Sequence, residues 1–165
     1  MKRNIFSYFF YSIIAFSTSN AIAEIKTQQL DNGWIALTKQ VDPFDSSTVK
    51  VIQIIKDDFV FQCGELNMKG GSYGFESLSF SAEIRYLIDE KHTQNKTGKY
   101  STYLSGSDMV TDSRYYSFEI NAEDINAMKN GSSMKVAGKY GNSGWETKSL
   151  NLIGFTSAYN MMCDK

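Results

Sequence analysis

Only one imidazole is present in this chain of 165 residues. His92 lies in the polar run Asp89-Glu90-Lys91-His92-Thr93-Gln94. A serine or cysteine nucleophile would depend on it as base, and a third group would have to orient the ring. No G-x-S-x-G elbow accompanies it, and the run is expected to be an exposed loop carrying a solvated histidine. Eighteen acidic side chains make carboxylate pairs for glycoside hydrolysis easy to find, so their presence carries little information. Asp57-Asp58 is more simply a turn than a catalytic or calcium-binding pair. With one His and two Cys, a zinc site of the common kinds cannot be assembled without carboxylates. No P-loop, EF-hand or dinucleotide fingerprint occurs. The residues therefore nominate no catalytic group, no cofactor and no metal site.

Aromatic side chains offer a second kind of chemistry. Tyr100, Tyr103, Tyr115, Tyr116, Tyr140 and Trp145 gather in the second half of the chain. Exposed rings supply large contact areas for a glycan or a protein partner. Half or more of them are expected to fill the core of a small β-domain instead. Asp108, Asp112 and Arg114 are expected to be solvated loop charges. Seventeen basic residues against eighteen acidic leave a formal charge of −1, without the basic excess of a nucleic-acid binder.

The compartment follows from the N-terminus. Lys2 and Arg3 form a positive n-region, Ile5 to Phe16 (IFSYFFYSIIAF) an apolar run, and Ala21-Ile22-Ala23 an A-x-A site. This is the pattern of a secretory signal peptide over residues 1–23, with cleavage between Ala23 and Glu24. The apolar run falls short of the roughly 20 residues that span a bilayer. No membrane span is expected after cleavage, and the product is expected in the periplasm or outside the cell. In that oxidising setting the two cysteines, Cys63 and Cys163, are expected to form one structural disulfide. A redox pair or an intermolecular bridge are the alternatives; a redox pair usually adopts C-x-x-C, which is absent.

Short strands with turn signals dominate residues 24–165, read as a single β-rich domain. Trp34–Val41, Val49–Ile55 and Phe59–Cys63 are strand candidates, separated by Asp42-Pro43 with Asp45-Ser46-Ser47 and by Lys56-Asp57-Asp58. The clearest signal is the alternation of Leu78, Phe80, Ala82, Ile84 and Tyr86 with Ser77, Ser79, Ser81, Glu83 and Arg85. It describes a strand with one buried and one wet face. Asp89–Lys99 is expected to be a polar hairpin loop or crossover. Tyr100–Leu104 and Tyr115–Ile120 follow as strands. Asn121 caps a short helix near 122–129 that Gly131 closes. Met134–Tyr140 and Glu146–Leu152 form a final hairpin across Gly141-Asn142-Ser143-Gly144. Phe155, Ala158, Tyr159 and Met162, at i, i+3, i+4 and i+7, mark a C-terminal helical turn. Seven to nine short strands with minor helix predict an all-β fold, a single antiparallel β-sandwich or barrel.

Trp34 ahead of Asp42-Pro43-Phe44-Asp45, a lone Cys63 in a β-rich stretch, and Ser149-Leu150-Asn151-Leu152-Ile153-Gly154-Phe155 with Ala158 before a terminal Cys163 make a pattern. It resembles the small periplasmic β-proteins of the type VI secretion-associated TagO/VasI family, and more loosely the invasion-associated locus B family. The terminal L-x-G-x-x-x-A element is Leu152-Ile153-Gly154-Phe155-Thr156-Ser157-Ala158. The resemblance implies a non-enzymatic periplasmic accessory protein that binds envelope machinery or a cell-wall enzyme, and it supplies no catalytic residue. The expectation is an exported, non-enzymatic binding or accessory protein of the bacterial envelope, whose partner is an unknown envelope protein or cell-wall component. An exported inhibitor, immunity or phage-exclusion factor is the alternative. A cell-wall or glycan hydrolase using scattered carboxylates is the third reading.

Overall fold

The computed structural model describes residues 25–42, 45–71, 79–103 and 110–163; side chains of 42, 45–48, 102, 103 and 110–113 are outside the description. The proposed signal segment and cleavage site at Ala23 and Glu24, together with Ser77, Leu78 and Asp108, lie outside the described residues.

Ten antiparallel strands form one sheet in the order β1-β2-β3-β4-β5-β8-β7-β6-β9-β10. The strands are β1 (Ile25–Gln29), β2 (Ile35–Asp42), β3 (Asp45–Lys56), β4 (Phe59–Gln62), β5 (Glu65–Lys69), β6 (Phe80–Ile88), β7 (His92–Tyr103), β8 (Val110–Glu119), β9 (Ser133–Tyr140) and β10 (Glu146–Asn151). Helix α1 (Ala122–Asn130) connects β8 to β9, and α2 (Phe155–Cys163) ends the chain. The all-β class with minor helix is thus the observed one. The sheet curls without closing, because β1 and β10 stand at opposite ends of the order. An ion pair, Lys148 Nζ to Asp58 Oδ2 at 2.9 Å, ties β10 to the turn after β3 and shows how far the sheet wraps.

The inner face follows from register. Ile84 on β6 stands between Lys96 on β7 and Gly138 on β9. Tyr100, Tyr116 and Met68 align across β7, β8 and β5. Phe61 on β4 lies between Leu66 on β5 and Ile54 on β3. These inward positions are apolar and fully buried apart from Lys96 and Gly138, and they belong to one contiguous core. Burying each such aliphatic or aromatic side chain contributes roughly 1.5–3 kcal/mol. Gly138 is required by close approach: a Cβ there would stand 2.5 Å from the Tyr116 ring.

Helix α2 covers the core with Phe155, Ala158, Tyr159 and Met162, the predicted apolar face. Phe155 meets Phe61 at 5.1 Å and Trp34 at 5.7 Å between ring centroids. Trp34 Nε1 donates to the Ile153 carbonyl at 2.9 Å, which satisfies the indole's polar edge. Lys56, read from sequence as part of a polar turn, is instead the last residue of β3. It is buried, with its ammonium 5.2 Å from the Trp34 ring centre.

Two further expectations are corrected. Asp89–Lys99 is neither a long loop nor a crossover: the connection spans Asp89–Lys91, and His92–Lys99 belong to β7. Its inward positions, His92, Gln94, Lys96 and Gly98, are polar or lack a side chain, so no hydrophobic alternation announces the strand. The second correction is Arg114, which lies on β8 and is buried rather than solvated. Its guanidinium stands 5.6 Å from the Tyr100 ring centre, where the stem is covered and the charge faces a π surface. Asp112 also falls within β8.

Candidate binding face

The polar side chains separate into an inward set, whose members bond to one another, and an outward set that lines a groove. The inward set centres on Asp124. Asn121 accepts from the Asp124 N–H at 2.9 Å while Asp124 Oδ2 accepts from the Asn121 N–H at 3.0 Å, a reciprocal cap that starts α1. The Asp124 side chain is fully buried. It also accepts from Lys96 Nζ at 3.0 Å and lies 3.1 Å from His92 Nε2. Burial opposes ionisation of Asp124. The contacts with Tyr86, the Asn121 N–H, Lys96 and His92 overcome it and bring the carboxyl down to about 2. His92 is therefore a strand residue with its side chain only 20% exposed, and not a solvated loop histidine. Its ring is fixed against a helix cap.

The aromatic cluster is divided between core and surface. Tyr100, Tyr115 and Tyr116 are buried. Tyr100 stacks on Tyr140 with centroids 4.1 Å apart. Tyr116 donates to Glu146 Oε1 at 3.1 Å, and the Gly71 N–H donates to Glu146 Oε2 at 2.8 Å. Burial, then the neighbouring Glu146 and Tyr140, push the Tyr100 hydroxyl up to about 12. Burial and Glu146 raise Tyr116 further. These rings are structural. Trp145 is different: it is 38% exposed, with the Arg85 guanidinium 4.4 Å and the Lys139 ammonium 5.7 Å from its ring centre. The Tyr103 side chain lies outside the described residues.

The outward set belongs to the wet face that the β6 alternation predicted. Ser81, Lys99, Ser117 and Asn67 align across β6, β7, β8 and β5. Glu83 pairs with Thr97, and Glu119 with Glu65, in the next row. A groove of about 920 Å³ runs over this surface, lined by Ser81, Thr97, Lys99, Ser117, Glu119 and Glu65 among others. Ser117 Oγ donates to Asn67 Oδ1 at 2.5 Å and anchors the floor to a buried amide. Burial, aided by Glu119, raises the Glu65 carboxyl above its ordinary value against the opposing effects of Asn67 and Lys99.

No family model, curated protein or solved structure matches this chain.

Cys63 and Cys163 are joined, with Cα atoms 5.6 Å apart. The bridge pins the end of α2 to the turn between β4 and β5, where the Gly64 N–H also donates to the Tyr159 hydroxyl at 3.4 Å. Among the described residues, no group of three or more His, Cys, Asp or Glu side chains is placed to hold a metal ion. No described helix is long and apolar enough to cross a membrane. Sequence reasoning did not single out Asp124, Lys96 or the groove carboxylates as partners. The N-cap pattern at Asn121 and the wet face of β6 were the available signals, but neither names the strand that pairs with it.

Proposed function

We propose that this protein is an exported, non-enzymatic binding module of the bacterial envelope. The observation that carries the reading is the groove over β5, β8, β7 and β6. Its lining side chains stand on regular strands, so the binding groups are held in place before any partner arrives. The inward polar groups that could do acid–base chemistry are engaged otherwise. Asp124 is committed to Lys96, His92 and a helix cap, and Glu146 to Tyr116 and Gly71. The disulfide fits an oxidising compartment, in keeping with the signal pattern over residues 1–23. A position beside a secretion apparatus, implied by the TagO/VasI resemblance, belongs to the same proposal.

Two measurements test it. The mature chain is expected in osmotic-shock fluid with Glu24 as its first residue by mass spectrometry, and cross-linking there is expected to capture an envelope component. A full-length product in the membrane pellet that resists carbonate washing refutes the export reading. His92→Ala is expected to leave any biological effect intact. Loss of that effect by orders of magnitude at unchanged thermal stability would establish a catalytic histidine instead.

A further inference from the structure

We infer that the outer face of β6, β9 and β10 docks on an anionic phospholipid surface, an assignment that rests on the binding-module reading and names the envelope component. Register places Glu83, Arg85 and Leu87 of β6 on this face, opposite Lys139, Ala137 and Lys135 of β9. The flanking positions are neutral: Thr147 and Ser149 on β10, and Thr93, Asn95 and Thr97 on β7. The charged members are therefore Arg85, Lys135 and Lys139 against Glu83 alone, on a chain whose formal charge is −1. Two of these cations lack a counter-ion. Among the described residues, the Arg85 side chain makes no hydrogen bond or ion pair and meets only the Trp145 ring, and the Lys135 side chain makes neither. Lys139 reaches Glu83 at 3.6 Å, a carboxylate whose side chain is 64% exposed. Asp89, at the end of β6, is already committed to the N–H and hydroxyl groups of Ser132 and Ser133. On the inward face, by contrast, Lys96 and Lys148 are matched by Asp124 and Asp58.

Trp145 points to the kind of anion. The Arg85 guanidinium and the Lys139 ammonium converge on its ring, 4.4 and 5.7 Å from the centre, and the ring is 38% exposed. Phosphate oxygens arriving there would satisfy two like charges that share one carboxylate. An amphipathic indole beside Arg and Lys suits a membrane interface, where the ring lies at headgroup level and the cations reach the phosphates. A soluble partner fits less well. β6 stands between β7 and β9, and β9 between β6 and β10, so neither offers an extended acidic peptide a free backbone edge. Arg85, Lys135, Lys139 and Trp145 line no part of the groove, and the side chain at their centre is the small one of Ala137, so a single small anion finds no enclosure. Lys135 and Lys139, four residues apart on one strand, spread the charge over about 13 Å. A laterally mobile array of headgroups can adjust to that spacing.

The test is co-sedimentation of the disulfide-bonded chain from Glu24 onward with two kinds of vesicle: phosphatidylglycerol mixed with phosphatidylcholine, and phosphatidylcholine alone. Binding to the anionic vesicles is expected to saturate and to fall as added salt shortens the Debye length. Trp34 is already buried, so a blue shift of fluorescence on binding reports Trp145, and Trp145→Phe is expected to abolish it. Arg85 and Lys135 are exposed, so Arg85→Gln and Lys135→Gln should both fold, which thermal melting checks. Each is expected to weaken binding about fivefold, the loss of one basic residue's attraction to such a surface. Lys50→Gln, at an exposed position of β3, should leave binding unchanged. No binding to anionic vesicles, equal binding to neutral ones, or an equal loss with Lys50→Gln would overturn the assignment. So would a chain that ignores vesicles while inorganic phosphate or an oligoglutamate peptide shifts the amides of Arg85, Lys135 and Lys139, since the face then serves a soluble anion. Osmotic-shock fractionation separates this failure from that of the parent reading. An exported chain that ignores vesicles refutes the lipid surface only, whereas a chain that binds them but is never exported refutes the envelope role.

Discussion

At the scale of single residues, Asp124 has the most consequence. A carboxylate without water is unfavourable unless it is fully partnered, and this one is partnered by a cap, an ammonium and an imidazole. Its carboxyl titrates at about 2 in the fold against 3.8 ordinarily. A carboxyl depressed on folding contributes stability that is fully present above its unfolded value and lost as pH falls through the folded one. Stability is therefore expected to hold above pH 4 and to decline between about pH 4 and pH 2, with about 2 kcal/mol traceable to this group. Asp124→Ala is expected to cost about 2–4 kcal/mol at neutral pH by removing both cap and ion pairs. Urea denaturation at pH 7 and pH 3 checks both points: the variant should lie below the parent at pH 7, and the gap should narrow at pH 3. An unchanged gap would mean that the ion pairs contribute nothing.

Helix α2 and the Cys63–Cys163 bridge belong to the scale of elements. The helix supplies one wall of the Trp34–Phe61–Phe155 cluster, and the bridge holds its last turn, where a terminus would otherwise fray. Closing a loop across a separation of 100 residues is worth roughly 4–5 kcal/mol in the chain-entropy model. Reduction, or Cys163→Ser, is expected to lower the melting temperature by roughly 10 °C or more. The sheet should stay folded at room temperature, because the buried face of the helix remains. Thiol titration of denatured, unreduced protein should find no free thiol. Calorimetry with and without reductant measures the shift, and a reduced protein lacking a folded baseline at 25 °C would show that the bridge creates the fold instead of reinforcing it.

For the whole molecule, the relevant fact is that one hydrophobic cluster runs from Trp34 on the way into β2 to Met162 near the end of α2. Among the described residues it joins β3 through β10 and both helices, whereas β1 and β2 contribute no member. Unfolding is expected to be a single cooperative transition. In a Trp145→Phe variant, Trp fluorescence reports the Trp34 end and near-ultraviolet dichroism the Tyr100–Tyr140 stack. Their denaturation curves should coincide, and midpoints that differ beyond error would divide the sheet into separately stable parts.

Much of this architecture was legible in the residues. The alternation along β6, the Asn121 cap, the turn ahead of β10 and the four-residue apolar face of α2 are local patterns, and local backbone preferences enforce them. The short strands β1 and β5 were not legible. Ile25–Gln29 is exposed throughout, and Glu65–Lys69 is too short for its alternation to stand out. The polar first half of β7 was hidden for a different reason. It is a strand because β6 pairs with it residue by residue from His92 to Tyr100, and such pairing is invisible in a one-dimensional pattern. The sequence by itself determined the all-β class, the wet face of β6 and the cysteine pair available for bridging, since each depends on residue type and short-range periodicity. Only the tertiary structure decided that Asp124 would meet His92 and Lys96, that Arg114 and Lys56 would be buried beside aromatic rings, and that Glu65 would pair with Glu119 on the neighbouring strand. Those juxtapositions depend on the order and register of strands distant in the chain, which are set by the collective packing of the inner face and not by any one segment.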